Sequence, residues 1–500
     1  MKNKQTNLRV AFWYIALVFF VYFLINIKVS SLLIIFGGFL ILVTVLSSLY
    51  ICIAKGAEGL PIFPVFSFTI IFKYVLPLVS NSLTIRLYSP EKKFCAALTV
   101  VAFLIAGIFS WACFLYKKPK PPKRYLSLPD NAASANSFLT IMFLVLILRM
   151  NGVGRWFYLG VAIQNFLDLV SIGIGLLAIF FLAYRWGKGE LKKKDRSLFL
   201  ILFTLMLVVS AIPIYLIEDM TMCIGMVAGY FLGSKKIPII LILVLLFPVF
   251  FMQYGKSEMR GKYWDLEAGQ GPSLRYAIQP WQYPSFLWQW FNAAYGEITY
   301  RENDPMYTSH VQPLLERSSM VQLLLMVEDQ TPKEIPFYYG ATYSHILETM
   351  APRFLSPKKI SPLIGGRMLS LRYGLVPEER IETTSISWDM MIESYANFGF
   401  FGCVILGALL GSLLGFIEYW SAGLPILSFR FLYASVVLLF GFKASEMVTN
   451  TFVVSLFQTT VGLFLMAFLL MRFHRITSSF SHQARVPAWM KAKDQGFKTE

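Results

Sequence analysis

The chain has 500 residues, of which 56% are hydrophobic and only 15% charged, with a net charge of +17 and a mean hydropathy of +0.60. Soluble domains carry about 25% charged residues; here the apolar excess is gathered into long runs, which excludes an ordinary soluble enzyme. The positive charge would point to nucleic acid, but no helix-turn-helix, zinc finger or RNA-binding motif accompanies it, so no nucleic-acid partner is expected.

A run of about 20 apolar residues spans the hydrocarbon layer as a helix, which satisfies its own backbone groups. The first run follows MKNKQTNLR and continues to Ile27. No small-residue cleavage site follows it, so it reads as a retained helix and not a signal peptide. Further spans are predicted at 31–54, 61–80, 94–116, 137–150, 160–184, 197–217, 221–234, 237–253, 394–417, 431–449 and 451–471, the first being 10–27. The third is interrupted by Pro61, Pro64, Pro77 and Lys73, and the eleventh carries Lys443 and Glu446. The expected fold is an all-α polytopic membrane protein with about twelve transmembrane helices and one large, partly helical extracytoplasmic loop. Its parts are an N-terminal bundle over 1–253, the loop over 254–393, C-terminal helices over 394–471 and a basic tail over 472–500, read as disordered.

Charge supports this count, because Lys and Arg collect in cytoplasmic loops. With the N-terminus inside, the segments 1–9, 55–60, 117–136, 185–196, 235–236, 418–430 and 472–500 hold 24 Lys and Arg against 7 Asp and Glu. The loop 254–393 falls outside and holds 13 against 16. The two strongest basic loops, KKPKPPKR at 117–124 and KGELKKKDR at 188–196, fall inside together. The expected location is the cytoplasmic membrane, with both termini cytoplasmic.

Five cysteines, Cys52, Cys95, Cys113, Cys223 and Cys403, sit singly in apolar runs, and the four histidines are far apart. Neither set has metal-ligand spacing, so no metal and no cofactor is expected. Charges at lipid depth, namely Lys73, Asp168, Lys443 and Glu446, each cost about 2.5–3.5 kcal/mol at a helix centre and should face protein or water. Lys443 and Glu446 are three apart, which predicts a pair on one helical face.

The loop holds 11 of the 24 prolines and 5 of the 11 tryptophans. It reads as short helical stretches, such as 309–328, among irregular aromatic chain. The stretch LRYAIQPWQYPSFLWQWFNAAY, 274–295, suits the membrane interface better than a sugar-binding face. Toward the loop's end, Arg353, Lys358, Lys359, Arg367 and Arg372 fall within 20 residues, followed by Glu393, Tyr395 and Asn397 at re-entry into the membrane. Arginine offers a planar fork that matches phosphate oxygens with two charge-assisted hydrogen bonds, and Pro352 and Pro357 restrict the chain around Arg353. A carboxylate at a membrane boundary can serve as a general base. From composition alone the plainer accounts are preferred: the cations pair with Glu378, Glu379, Glu382 and Asp389 or snorkel to headgroups, and Glu393 favours the positive end of its own helix.

Two segments change that preference. Gly340-Ala341-Thr342-Tyr343 followed by Pro352-Arg353-Phe354-Leu355-Ser356-Pro357-Lys358-Lys359, and then Glu393-Ser394-Tyr395-Ala396-Asn397-Phe398-Gly399-Phe400-Phe401-Gly402, resemble motifs of the Wzy-type polysaccharide polymerases. The departures are Ser356 for a usual Trp, Lys359 for a usual Pro, and Ser394 for another small residue. The resemblance covers about 40 residues by motif, and the whole chain by architecture.

The resemblance implies transfer of a growing glycan from a polyprenyl diphosphate carrier onto a new lipid-linked repeat unit at the outer membrane face. Arg353 and Lys358, supported by Arg367 and Arg372, would stabilise the departing diphosphate. Glu393 would accept the proton of the attacking hydroxyl, with Tyr343, Tyr395 and Asn397 positioning and His345 as a lower-ranked base. Arg260 shares with Gly271 an Arg-x10-Gly spacing given weight in some polymerases, but with 33 glycines in 500 residues the spacing says little. The implied partners are polyprenyl diphosphate-linked oligosaccharide, membrane lipids, and a chain-length regulator and flippase of the same pathway. An O-antigen-ligase-type transferase shares this architecture and donor; a flippase or other transporter would instead need a polar path through the helices.

Overall fold

The computed structural model describes residues 2–54, 60–80, 82–117, 122–128, 132–150, 161–234, 236, 238–264, 278–303, 319–351, 360–381 and 386–475. Before the predicted loop, helices run as α1 (Lys2–Ile25), α2 (Leu32–Ala54), α3 (Ile62–Val79), α4 (Pro90–Leu115), α5 (Ala132–Met150), α6 (Val161–Gly187), α7 (Lys193–Ala211), α8 (Leu216–Ser234) and α9 (Ile239–Tyr263). Within it lie α10 (Tyr283–Asn303), α11 (Val321–Gln330), α12 (Ile346–Met350) and α13 (Ile364–Arg372), and after it α14 (Met390–Ser421), α15 (Phe429–Ala444) and α16 (Thr449–Leu470). Six of these, α2, α3, α4, α8, α9 and α14, are long and apolar enough to cross a membrane. Shorter apolar helical stretches lie in α1, α5, α6 and α16. Outward faces carry exposed Leu32, Phe109, Ile240, Phe247, Phe401 and Phe468, side chains that water would penalise and lipid would not. The chain is built as an all-α membrane protein.

In lipid, helices associate through close packing and buried hydrogen bonds, so small residues mark the tightest contacts. On α14 a Cβ added at Gly407 or Gly411 would fall 2.2 Å from the carbonyl oxygen of Phe103 or Gly107, and at Gly415 3.1 Å from that of Trp111. The constant offset means that α14 and α4 run parallel. Gly229 and Gly233 of α8 meet the carbonyls of Phe180 and Tyr184 in the same way, so α8 and α6 are parallel too. A side chain at Gly411 would have to displace backbone. We expect Gly411→Leu to cost more than the usual ~1–3 kcal/mol of overpacking and to reduce folded protein severely. Gly261→Leu, where an added Cβ meets nothing within 4 Å, should leave the amount of monodisperse protein on size-exclusion unchanged.

A buried carboxylate closes the far end of this contact. Glu418 accepts from Phe63 N (3.0 Å) and from Trp111 Nε1 (2.8 Å), so it caps the first turn of α3, whose preceding Pro61 offers no side chain to do so. Glu418→Ala leaves two buried donors unsatisfied at about 1–3 kcal/mol each. A fall in melting temperature of the purified protein, much smaller for Glu418→Gln, is the expected result.

The non-helical contacts join segments with the same predicted side. Strands β1 (Arg124–Ser127) and β2 (Arg472–Arg475) pair antiparallel, with Arg124 opposite Arg475, and Leu128 N donates to Leu427 O. Three segments expected to be cytoplasmic therefore meet. At the other end Lys28 N donates to Val79 O, and Tyr283 Oη donates to Met150 O at 2.9 Å.

The loop differs from expectation in detail. The predicted boundary at 253 falls inside α9, which continues to Tyr263. The aromatic stretch is irregular only in part: α10 turns back antiparallel along α9, with Phe291 5.0 Å from Phe251 between ring centroids and Trp290 Nε1 donating to Met252 O at 2.8 Å. The stretch 309–328 yields a helix from Val321 onward, its first part lying outside the described residues. Through Leu324, Leu325 and Val327, α11 shares one apolar core with Phe66, Val100 and Ile392. Its Glu328 accepts from Thr99 Oγ1 at 2.7 Å, and burial pushes that carboxyl up to about 7 against the lowering effect of the hydroxyl.

The expected Lys443–Glu446 pair does not form. Helix α15 ends at Ala444, so the two residues do not share a helical face; Glu446 pairs with Lys73 instead. Lys73 sits in a π-helical turn of α3, Ile71–Val75, and its carbonyl accepts from Met320 N at 3.0 Å. For Asp168, side-chain placement lies outside the described residues.

Candidate functional site

The site is built where α14 begins. Asp389 is the N-cap, its Oδ1 accepting from Met391 N at 2.7 Å and its Oδ2 from Tyr74 Oη at 3.0 Å. Glu393, one turn on, is therefore not needed by its own helix. It reaches across to α16, where Oε2 accepts from Thr449 N at 2.6 Å. That amide belongs to the first turn of a helix whose N-cap, Val448, has no side-chain acceptor, so the carboxylate caps a neighbouring helix at the positive end of its dipole. The expectation that Glu393 serves its own helix is corrected accordingly.

The helix carrying Glu393 then breaks. Gly399 has φ +64° and ψ −154°, a region that disfavours residues bearing a Cβ. The break leaves the carbonyls of Ala396 and Asn397 free to accept from Tyr338 N (3.0 Å) and Tyr339 N (3.2 Å). Asn397 completes the junction: Oδ1 accepts from Gly340 N at 2.9 Å, and Nδ2 donates to Thr342 Oγ1 and to Glu393 O, both at 2.8 Å. Gly402 lets the chain after the break pass the Ser394 carbonyl, which an added Cβ would approach to 2.6 Å. Asn397, Gly399 and Gly402 of the Asn-Phe-Gly-x-x-Gly run thus each have a physical task, and together they join the Gly-x-Thr-Tyr segment to the turn that carries Glu393.

Around Glu393 lies a group of buried polar atoms that make no hydrogen bond of full geometry among the described residues: Glu393 Oε1, Tyr343 Oη, Thr449 Oγ1 and Asn450 Nδ2, with the hydroxyls of Thr342, Ser394 and Thr449 the nearest groups to the first two. Buried polar atoms are normally satisfied, so a cluster of four marks a place for water or ligand. Gly365 of α13 faces it, with an added Cβ only 3.0 Å from Glu393 Oε1 and 3.8 Å from Thr342 Cβ. Burial, and next the charge of Glu393, push the Tyr343 hydroxyl well above the usual phenol range, so Tyr343 stays neutral and can donate. Asn397→Ala removes three hydrogen bonds and strands buried partners, a cost on the order of 1–3 kcal/mol each. It should detach residues 338–343, read as faster amide exchange at Tyr339 and Gly340 with α4 exchange unchanged.

Of the predicted residues, Glu393, Asn397 and Tyr343 come together here. Tyr395 packs its ring against the adjoining apolar core. His345 is the N-cap residue of α12, and its Nδ1 lies 3.4 Å from Glu348 Oε2. Arg372 is held by Pro336 O at 2.8 Å and lies over the Tyr338 ring, 4.2 Å from its centroid; its contacts brace the segment leading to Gly340. Arg367 is half-buried on α13. Arg260 joins a different core, donating to Ile214 O at 3.1 Å and stacking 4.1 Å over Trp264. Arg353, Lys358 and Lys359 lie outside the described residues. The chain on either side is fixed to the first turn of α16: Thr349 Oγ1 donates to Asn450 Oδ1 at 2.7 Å, and Thr451 Oγ1 donates to Pro362 O at 3.0 Å.

Thr449, Asn450 and Gly365 were missed by sequence reasoning. The N-cap position of α16 is Val448, which carries no cap signal, and no local pattern assigns Gly365. Among the described residues no group of three or more His, Cys, Asp or Glu could hold a metal ion. No family model, no curated protein and no solved structure matches the chain.

Proposed function

We propose that this chain is a membrane glycosyltransferase that polymerises polyprenyl diphosphate-linked oligosaccharides at the outer face of the cytoplasmic membrane, crossing that membrane twelve times. In the reaction an acceptor sugar hydroxyl attacks the anomeric carbon of the donor. The new C–O bond forms, the bond to diphosphate breaks, and the carrier leaves with the electron pair. Glu393 takes the hydroxyl proton, Tyr343 and Thr449 donate to sugar oxygens, and Arg353 with Lys358 stabilises the departing diphosphate.

The observation that carries the reading is the junction at Asn397. The two segments that resemble polymerase motifs, 55 to 57 positions apart at this junction, are hydrogen-bonded together through Asn397 beside the buried Glu393. Both ends of the segment bearing Arg353 and Lys358 are tied to the helix turn that Glu393 caps. The parallel course of α4 and α14 supports the topology, since it needs an odd number of crossings between them; α5 to α9 supply five, and α10 is then a helix that enters without crossing. In a strain lacking the gene, surface glycan should shrink to single repeat units. Long polymer persisting at normal abundance would contradict the reading, and loss of all surface glycan would point to transport of the lipid-linked unit instead.

A further inference from the structure

We propose that the cavity enclosed by α6, α8, α15 and α16 binds a lipid-borne phosphate, with Lys443 holding the headgroup and the slot below it taking the first part of the hydrocarbon chain. The cavity encloses about 90 Å³ and is open at its mouth. Val436, Leu439, Phe440 and Lys443 line it from one face of α15, at spacings that place the ammonium roughly 10 Å of helix rise from Val436. Thr221 of α8 and Gln458 and Thr459 of α16 add polar groups, and the remaining walls are aliphatic, as at Leu177 and Leu463.

Two observations select an anionic amphiphile. The first is charge. Among the described residues Lys443 makes no hydrogen bond or ion pair, and the carboxylates whose charge reaches it are Glu218 and Glu446. Each of these already holds another cation, Arg149 and Lys73 respectively. An ammonium among apolar walls without a partner is costly, and a phosphate oxygen supplies a charge-assisted bond. The second is shape. Gly173 and Gly462 both line the cavity, and an added Cβ at either meets nothing within 4 Å. Glycines that no neighbour crowds serve here to leave a slot open, unlike those of the α4–α14 contact.

Lys443 stands one residue before the end of α15, and α16, the next helix in the chain, starts at the amide held by Glu393. The headgroup end of the cavity and the candidate site therefore lie toward the same end of the α15–α16 hairpin. The proposal requires only a membrane setting and no glycosyl transfer.

The test holds full-length protein in detergent on an affinity resin, incubates it with trace ³²P-labelled polyprenyl phosphate or ³²P-labelled dioleoyl phosphatidate, and counts label retained above bare resin after washing with detergent. Wild-type protein and Lys443→Arg should retain label, and Lys443→Gln should retain at least tenfold less. Gly462→Leu, which keeps the charge and fills the slot without a clash, should lose retention while eluting from gel filtration as wild type. Which of the two labels is held identifies the source of the phosphate. Retention of neither, or equal retention by wild type, Lys443→Gln and Gly462→Leu, overturns the proposal. Glu393→Gln should bind label normally, so failure here and failure of the transfer reading are separable.

Discussion

Glu393→Gln should fold normally and lose nearly all transfer. The amide keeps an oxygen that can accept from Thr449 N, the hydrogen bond by which residue 393 caps α16. Only the interaction of a negative charge with the helix dipole is given up, about 0.3–1 kcal/mol and at most ~2 in a partly buried setting. What the substitution removes is the ability of Oε1 to take a proton, and general-base assistance contributes typically ~10²–10⁴-fold. With purified lipid-linked repeat unit, chain extension should fall by about two orders of magnitude or more, with an unchanged elution profile. Glu393→Ala should instead lose folded protein, because Thr449 N is then buried without an acceptor. Transfer near the wild-type rate in Glu393→Gln would reduce Glu393 to a helix cap.

Arg353→Ala should abolish chain extension at a normal protein level. Removing one preorganised donor to developing negative charge costs about 10²–10³-fold in rate, and a diphosphate leaving group concentrates that charge. Arg353→Lys keeps the charge but not the planar fork, so it should recover only part of the rate. Arg260→Ala is the contrast. Its guanidinium is engaged by Ile214 O and Trp264, so the loss there should be of stability, with chain extension per folded molecule unchanged. Long polymer made by Arg353→Ala would remove it from the site.

The apolar helices were legible because lipid sets their length: twenty or so residues without charge announce themselves one at a time. The pairing of residues 124–127 with 472–475 joins two segments that the charge reading put on one side. Pairings across the chain were not legible. Glu446 lies three residues from Lys443, and sequence offers that neighbour first; the partner it takes, Lys73, is 373 residues away, and the end of α15 at Ala444 withdraws the helical face on which the local pair depended. Glu393 was read against its own helix because periodicity knows no other, while Asp389 already fills that task. The glycines at 407, 411 and 415 carried a readable small-x3-small signal for α4–α14 packing that was passed over. The Asn397 junction joins residues 55 and 57 positions apart. It was foreshadowed only by the resemblance of its two segments to one family, which names residues without saying that they touch.

The most direct measurement adds purified full-length protein to polyprenyl diphosphate-linked repeat units in detergent, with no nucleotide sugar, and follows both glycan length and carrier release. A ladder of products, with one polyprenyl diphosphate freed per repeat added, is the predicted result. Repeat units that stay single with their carrier intact, in the presence of folded protein, would contradict the account.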